Sequence, residues 1–333
     1  MSSISKKNWT KWHHLLHKEL LNNKGYIPAG INMLLSVSGG QDSMAMLIIF
    51  NEIKQHHNWS LNVWHGDHKW HNKSTDYAKS LKQFCSQNSI PCFIDYADTV
   101  DVASEEKARN WRYEKLHSTA KKLIEKRIPK KDVYIVTGHT STDNVETFFL
   151  NLARGSYYSG LGGIPKKRLL NEKFFLVRPF LIFSRKDTDL ICKSLNIPTW
   201  VDPSNLDLNI QRNNVRHNII PVLEKIHPGC SHRISNFIQK MNSYKNEQAD
   251  LCSLAIKSCT TKNGLNRQLL ISVGDEARST ILFNYLKQTY SQQINSKQIK
   301  NISEKIYINS SGHVQLSNGF QVLWNQKFIN ILS

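Results

Sequence analysis

Six small or polar residues, Ser38-Gly39-Gly40-Gln41-Asp42-Ser43, separate two apolar runs. Met33-Leu34-Leu35-Ser36-Val37 precedes them, and the second run opens at Met44. The first run predicts a buried strand and the second a helix, which makes the hexapeptide the turn between them. Its two glycines allow a tight fold, and Gln41, Asp42 and Ser43 bring amide, carboxylate and hydroxyl groups to a helix N-terminus. The first N–H groups of a helix lack intrahelical partners, so that end is where a phosphate binds best. The Lys-Ser/Thr ending of the usual nucleotide P-loop is missing.

A second polar set, Thr137-Gly138-His139-Thr140-Ser141-Thr142-Asp143-Asn144-Val145-Glu146-Thr147, follows another apolar run. Gly138 permits a close backbone approach. Asp143 and Glu146, three apart, share a helix face. Such carboxylates can hold the Mg²⁺ that accompanies ATP. Capping of the helix by Thr142 and Asp143 is the simpler alternative, with Asn144 and Thr142 serving as caps or as ligands. His139 is a candidate to orient a phosphate or a base. Arg154 is suited to a phosphate, and Gly160-Leu161-Gly162-Gly163-Ile164 reads as a loop able to cover substrate. Arg109 and Arg112 lie on one face of a charged helix beside Tyr113. Arg212, Arg216 and His217 make a further basic cluster suited to a nucleic-acid backbone.

The elements that must carry these residues alternate. Strands are expected at 33–37, 61–65, 92–94, 133–137 and 174–177. Helices are expected at 44–56, 74–87, 105–125, 143–153 and 184–195. That order implies parallel β-α units, whose sites lie past the carboxyl ends of the strands. The loop at 38–43, His65 to His68, and Gly138 to Asp143 all fall there. Residues 198–209 lack periodicity, and a helix begins near Arg212. A helical, polar stretch follows to about Gln292. From Ile306 the pattern turns strand-like, with Val314-Gln315-Leu316 and Phe320-Gln321-Val322-Leu323-Trp324 joined by an Asn318-Gly319 hairpin turn. The expected organisation is a catalytic α/β domain over 1–226 and a smaller helical and β-hairpin module over 227–333.

The 333 residues include 44 Lys and Arg against 26 Asp and Glu, a net charge of +18. The excess is distributed, with 31 basic and 21 acidic residues up to Glu224 and 13 and 5 beyond it. A polyanion, nucleic acid before membrane, is the partner such a surface suits. None of the six cysteines forms a CxxC pair, so zinc-site spacing is absent and a reducing compartment is favoured. No apolar stretch reaches membrane-spanning length, and residues 1–21 are too polar for a signal peptide. Asn8-Trp9-Thr10 and Asn309-Ser310-Ser311 match glycosylation sequons without other signs of secretion.

Taken as an ordered set, these motifs resemble the tRNA(Ile)-lysidine synthase family. Ser38 to Ser43 resembles the pyrophosphate loop of enzymes that split ATP into AMP and pyrophosphate. His65-Gly66-Asp67-His68 resembles the family's second-strand motif, and Ala108-Arg109-Asn110-Trp111-Arg112-Tyr113 its Ala-Arg-x-x-Arg-Tyr helix. Thr137-Gly138-His139 with Asp143, Glu146-Thr147 and Arg154-Gly155 resembles its fourth-strand motif. Arg178-Pro179-Phe180-Leu181, Asp202-Pro203-Ser204-Asn205, Arg212-Asn213 and Arg216 are further landmarks. Two departures stand out. Thr140 occupies a position usually held by a second histidine, and Thr142-Asp143-Asn144 replaces Asp-Asp-Gln, leaving one carboxylate of two.

The resemblance implies an adenine nucleotide α-hydrolase-like (PP-loop) fold and ATP with Mg²⁺ as cofactors. The implied nucleotide-binding residues are Ser38 to Ser43, Gly138 and His139. Asp42, Asp143, Arg109 and Arg112 would be catalytic, with Asp42 and Asp143 on the metal. Arg154, Arg178, Arg212 and Arg216 would meet tRNA or lysine. The implied reaction joins L-lysine to C2 of the wobble cytidine in the CAU anticodon of tRNA(Ile). The cytidine oxygen attacks the α-phosphate of ATP, pyrophosphate leaves, the lysine ε-amine attacks C2, and AMP departs. A tRNA thiolase or an inert tRNA-binding homologue are the alternatives. The compact form points to a plastid, with a bacterial cytoplasm as the alternative, and a homodimer is allowed.

Overall fold

The computed structural model describes residues 9–23, 25–98, 100, 102, 104–125, 132–156, 160–171, 174–200, 203–289, 294–316 and 319–332. Asn8, Asp202, Gln292 and Asn318, named above, lie outside them. The chain divides into two compact units, Met1–Met241 and Asn242–Ser333.

In the first unit the order is α1 (Lys11–Asn22), β1 (Asn32–Ser36), α2 (Gln41–Ile53), β2 (Ser60–Asp67), α3 (Ser74–Gln87), β3 (Cys92–Tyr96) and α4 (Glu105–Glu125). There follow β4 (Val133–Thr137), α5 (Ser141–Ala153), β5 (Lys167–Asn171), β6 (Phe174–Val177), α6 (Arg185–Ser194), α7 (Gln211–Asn214) and α8 (Ile220–Ile226). A π-helical turn, Val215–Ile219, joins the last two. The sheet order is β3-β2-β1-β4-β6-β5. All pairs are parallel except β5 with β6. β5 was not expected: Lys-Arg-Leu-Leu-Asn has no alternation to mark it, and it is an edge strand whose register slips between Leu169 and Asn171.

Alternation across the sheet separates two cores. Met33, Leu35 and Val136 pack with α1 and α2 on one side. Leu34, Ile135 and Leu176 pack with Trp111, Leu116 and Ala120 of α4 on the other. Strands covered on both faces read as unbroken apolar runs, which is why β1 and β4 were legible. Helix α2 is buried from Ser43 to Phe50.

Ser36 pairs with Trp64 on one side and with Thr137 on the other. The loops after β1 and β4 therefore emerge side by side at the point where strand order reverses, the usual ligand crevice of such sheets. Gly138 makes this neighbourhood close. A Cβ there would lie 3.1 Å from Ser43 Cα and 3.2 Å from the Asp42 backbone.

In the second unit, the division falls inside α9 (Cys230–Cys259), whereas the sequence reading set a boundary at Ile226. Beyond it come β7 (Thr260–Thr261), β8 (Gly264–Asn266), α10 (Arg267–Ile271), α11 (Asp275–Thr289), α12 (Ser296–Ile308), β9 (Gly312–Gln315), β10 (Gln321–Trp324) and β11 (Phe328–Leu332). Ile306, read as the start of strand character, closes a helix instead: Ile299, Ile302 and Ile306 form its buried stripe. The sheet order β7-β8-β11-β10-β9 is antiparallel. Buried Arg267 donates from Nε (3.0 Å) and Nη2 (2.7 Å) to the Ile306 carbonyl, satisfying the end of α12. Among the described residues, no helix is long and apolar enough to cross a membrane.

Gly138→Ala should lower stability by about 1–3 kcal/mol, because backbone atoms on α2 have little room to yield. Urea denaturation checks this; an unchanged midpoint would mean that the end of β4 can retreat without cost.

Candidate active site

The hexapeptide folds on itself at the start of α2. Gly39 takes φ +88°, a conformation that favours glycine, and the Trp200 ring would meet its Cβ at 2.9 Å. The Ser43 hydroxyl donates to Gly40 O at 2.9 Å and accepts from Ser38 N–H at 3.2 Å. The first intrahelical bond runs from Met44 N–H to Gly40 O at 3.0 Å. The N–H groups of Gln41, Asp42 and Ser43 thus project from the helix end toward the crevice, in the arrangement that binds phosphate.

The side chains of Gln41 and Asp42 turn instead to α6. Gln41 Nε2 donates to Arg185 O (2.7 Å) and to the Thr188 hydroxyl (3.0 Å). Asp42 Oδ2 accepts from Arg185 Nη1 at 3.0 Å, and Oδ1 accepts from the Thr188 hydroxyl. Burial raises the Asp42 carboxyl above its ordinary value, with Asp143 adding to the rise and Arg185, Thr188 and Arg216 opposing it.

Across the crevice, α5 begins at Ser141, and its cap is Thr140 rather than Thr142. Asp143 Oδ2 accepts from Thr140 N–H (2.7 Å) and from its hydroxyl (2.8 Å). Asp143 Oδ1 faces Arg212 Nη2 at 3.2 Å and Arg216 Nη2 at 3.5 Å. One oxygen caps the helix while the other meets cations, so capping and function are not exclusive. Although burial raises the Asp143 carboxyl, Arg212, His139 and Thr140 together hold it below its ordinary value. Thr142 accepts from Arg185 N–H at 3.1 Å, and Asn144 Oδ1 accepts from Ile164 N–H at 2.7 Å. Thr142 and Asn144, the two replaced residues of the second departure, therefore both fasten neighbouring segments.

Glu146 is fully buried. It accepts from Arg212 Nε at 2.7 Å and from Arg216 Nε and Nη2 at 2.6 and 3.0 Å. Its oxygens are thus engaged by arginines, which corrects the idea of an Asp143–Glu146 metal pair. Arg212 and Arg216 likewise are ion-paired, with side chains 29% and 14% exposed, rather than open phosphate contacts. Arg178 is buried, donating from Nη1 to Pro165 O at 2.7 Å, which removes it from a surface role. Arg112 Nη2 reaches His68 Nε2 at 3.4 Å.

His139 Nδ1 lies 2.9 Å from the Thr137 hydroxyl. Burial first, then the charges of Arg178, Arg212 and Arg112, push its pKa to about 4 against the pull of Asp143. It is therefore a neutral ring at neutral pH. His65 donates from Nδ1 to Val37 O at 2.8 Å and braces the pyrophosphate loop from β2. Arg109 is exposed, with its guanidinium 5.3 Å from the Tyr113 ring centre. It lines a cavity of about 500 Å³ with Arg154 and Arg212. Arg185 and Thr188 were missed by the sequence reading, since nothing in the Ser184–Leu195 helix marks them as partners of residues on α2.

Asp42 and Asp143 feel each other's charge. Among the described residues, no group of three or more His, Cys, Asp or Glu could hold a metal. Both carboxylates have their oxygens engaged, Asp42 by Arg185 and Thr188 and Asp143 by Thr140, Arg212 and Arg216. A Mg²⁺ arriving on phosphates, which takes few protein ligands, would have to share an oxygen with these partners.

Glu146→Gln would leave Arg212 and Arg216 facing a neutral group inside the fold. Breaking a buried pair in this way should cost about 3–5 kcal/mol. Thermal and urea melts check it; a loss under 1 kcal/mol would show that water or Asp143 takes over the charge.

Comparison with known proteins agrees with this geometry. The PP-loop domain family matches residues 13–223. A tRNA(Ile)-lysidine synthase from Prochlorococcus marinus subsp. pastoris is 53% identical over 327 residues, covering 98% of this chain and 97% of that protein. One from Synechococcus is 31% identical over 303 residues, covering 91% and 90%. Among solved structures, the U34-tRNA thiolase NcsA from Methanococcus maripaludis superposes with a TM-score of 0.54 at 20% identity, over 69% of this chain and 76% of that one. That likeness speaks to the fold alone. The relatives are cyanobacterial, so the plastid expectation finds no support. With a PP-loop crevice built from its own residues and near-complete coverage by these relatives, the chain belongs to the tRNA(Ile)-lysidine synthase family.

Proposed function

We propose that this protein joins L-lysine to C2 of the wobble cytidine in a CAU-anticodon tRNA(Ile), consuming ATP and releasing AMP and pyrophosphate, in a bacterial cytoplasm. The observation that carries the reading is the convergence of the pyrophosphate loop and Asp143 on one crevice, in a chain 53% identical to a tRNA(Ile)-lysidine synthase.

The C2 oxygen of a pyrimidine is a poor leaving group, and adenylation makes it a good one. The N–H groups of Gln41, Asp42 and Ser43 hold the pyrophosphate as charge builds on it, with no reorganisation needed because α2 is already fixed. Gly138 and His139 flank the nucleotide from the β4 side. A neutral His139 can accept or donate a hydrogen bond without adding charge. Mg²⁺ bound with ATP would be held by Asp42 and Asp143 and would neutralise the polyphosphate. Arg112, whose charge reaches His139, adds positive charge to the crevice that takes the nucleotide. Arg212, Arg216 and Arg178 are positioning residues, holding Asp143, α5 and the 160–166 segment in register. Lysine must reach C2 as the free amine, which favours a dry, oriented site.

The absence of a CxxC pair counts against the thiolase reading, and the inert reading draws on Thr142. Labelled lysine incorporation into a CAU-anticodon transcript decides between them: lysine in the RNA supports synthesis, sulfur in its place supports the thiolase, and ATP-independent binding alone supports the inert homologue.

Asp42→Ala should lower tRNA-dependent AMP formation by about 10²-fold or more, with a raised Mg²⁺ requirement. A folded variant that turns over normally would remove Asp42 from the mechanism.

Asp143→Asn retains an oxygen for the Thr140 cap but loses the charge that faces Arg212 and Arg216. Activity should therefore fall roughly 10²-fold, and the melting temperature should drop at neutral pH and converge on that of the unaltered protein in acid. The folded Asp143 pKa is depressed. Its contribution to stability is therefore complete above the ordinary carboxylate range of about 4 and is lost as pH falls through the lower folded value. The acid limb of a pH–stability curve should flatten in the variant. An unchanged limb with unchanged lysine incorporation would leave Asp143 a dispensable cap.

A further inference from the structure

Two cavities adjoin on the outer side of α5. The first, of about 500 Å³, is lined by Arg109, Asn151, Arg154, Asn209, Gln211 and Arg212, among others. The second, of about 420 Å³, has a largely apolar wall from Leu150, Ala153, Val215 and Ile219. Leu150, Arg154 and Gln211 line both, and Arg154 Nη2 donates to Gln211 Oε1 at 3.0 Å in the shared wall.

The charges in the first cavity are of two kinds. The Arg212 guanidinium is engaged by Glu146 and Asp143. Arg109 and Arg154 have no acidic partner among the described residues, and the Arg109 cation rests against the Tyr113 ring. Two uncompensated guanidinium groups converging beside the amides of Asn151, Asn209 and Gln211 call for an oxyanion with polar groups attached. The neighbouring apolar wall calls for a flat or greasy part of the same ligand. Phosphate joined to a base has both parts, and the combined space suits one nucleotide.

The geometry points to a second nucleotide subsite: an anticodon-loop nucleotide next to the reacting cytidine sets its phosphate between Arg109 and Arg154 and its base against Leu150, Val215 and Ile219. Arg212 links this subsite to the reaction centre, since it lines the first cavity and also meets the Asp143 carboxylate. Single-stranded loops are read with bases splayed apart, so a nucleotide held here would pull its neighbour out of the stack and toward the crevice. The inference rests on RNA being the substrate and deepens that reading by naming where a flanking nucleotide sits. It gives Arg109 and Arg154 a binding role on the RNA rather than a part in the chemistry.

The test uses the full-length protein and an anticodon stem-loop RNA, titrated without ATP or lysine across a salt series. Arg109→Ala and Arg154→Ala should each weaken binding about 3- to 10-fold and reduce the log–log salt slope by about 0.7, the value for one single-strand phosphate contact. Ile219→Gln should weaken binding with the slope unchanged, and ATP affinity should be the same in all three. Thermal melts keep loss of fold separate, and Arg154→Lys should recover part of the slope. Unchanged RNA affinity and slope in both arginine variants would overturn the subsite. So would a raised KM for lysine with RNA binding intact, since the oxyanion held would then be the amino-acid carboxylate. Lysine incorporation by the wild-type protein, measured in parallel, tests the reaction itself; intact incorporation with unaltered arginine variants sinks the subsite and leaves the reaction standing.

Discussion

Glu146 is the carboxylate on which the arrangement of the site depends. A fully buried acid is tolerable only when opposite charge and hydrogen bonds surround it, and Arg212 and Arg216 provide both. The consequence runs outward in two directions. Through Arg212 and Arg216, the segment from α7 through the π-helical turn is fastened to α5. Through the same guanidinium groups, Asp143 Oδ1 is held facing the crevice. The π-helical turn at Val215–Ile219 carries Arg216 itself, in keeping with the tendency of such turns to occur where side chains must be aimed.

Helix α6 plays the complementary part on the other side of the crevice. Gln41 and Asp42 bond to Arg185 and Thr188, and Thr142 bonds to the Arg185 N–H. One short stretch of α6 thus ties the start of α2 to the start of α5. The replacement of a carboxylate by Thr142 has a physical counterpart here. A hydroxyl accepts from the Arg185 backbone without adding a third negative charge beside Asp42 and Asp143. The joint between the two loops is thus made by a neutral acceptor.

What the sequence disclosed, and what it hid, follows from range. Continuous apolar runs marked β1 and β4, and the turn chemistry between β1 and α2 marked the pyrophosphate loop. These are local signals. Which way Gln41 turned, and that Asn144 would accept from Ile164, depended on segments remote in sequence. Arg212 and Arg216 were recognisable as basic, but a basic pair carries no sign of being buried, and the acid that buries them lies on α5. Edge strand β5 lacked periodicity because neither of its faces is buried. The C-terminal error had another cause: Ile306 and Ile308 are β-branched and sit just before real strands, yet Ile299, Ile302 and Ile306 already formed a helical stripe.

Charge balance completes the description of the crevice. Asp42, Asp143 and Glu146 are matched by Arg185, Arg212 and Arg216, so the framework is close to neutral. Arg112 and Arg178 add positive charge that reaches His139, and it is this field, after burial, that keeps the imidazole uncharged. A protonated His139 would strengthen attraction for pyrophosphate but would also hold the product. A neutral ring inside a positive field avoids that penalty, because the polyphosphate meets fixed N–H dipoles and arginine charge while no proton has to be taken up or shed when it departs.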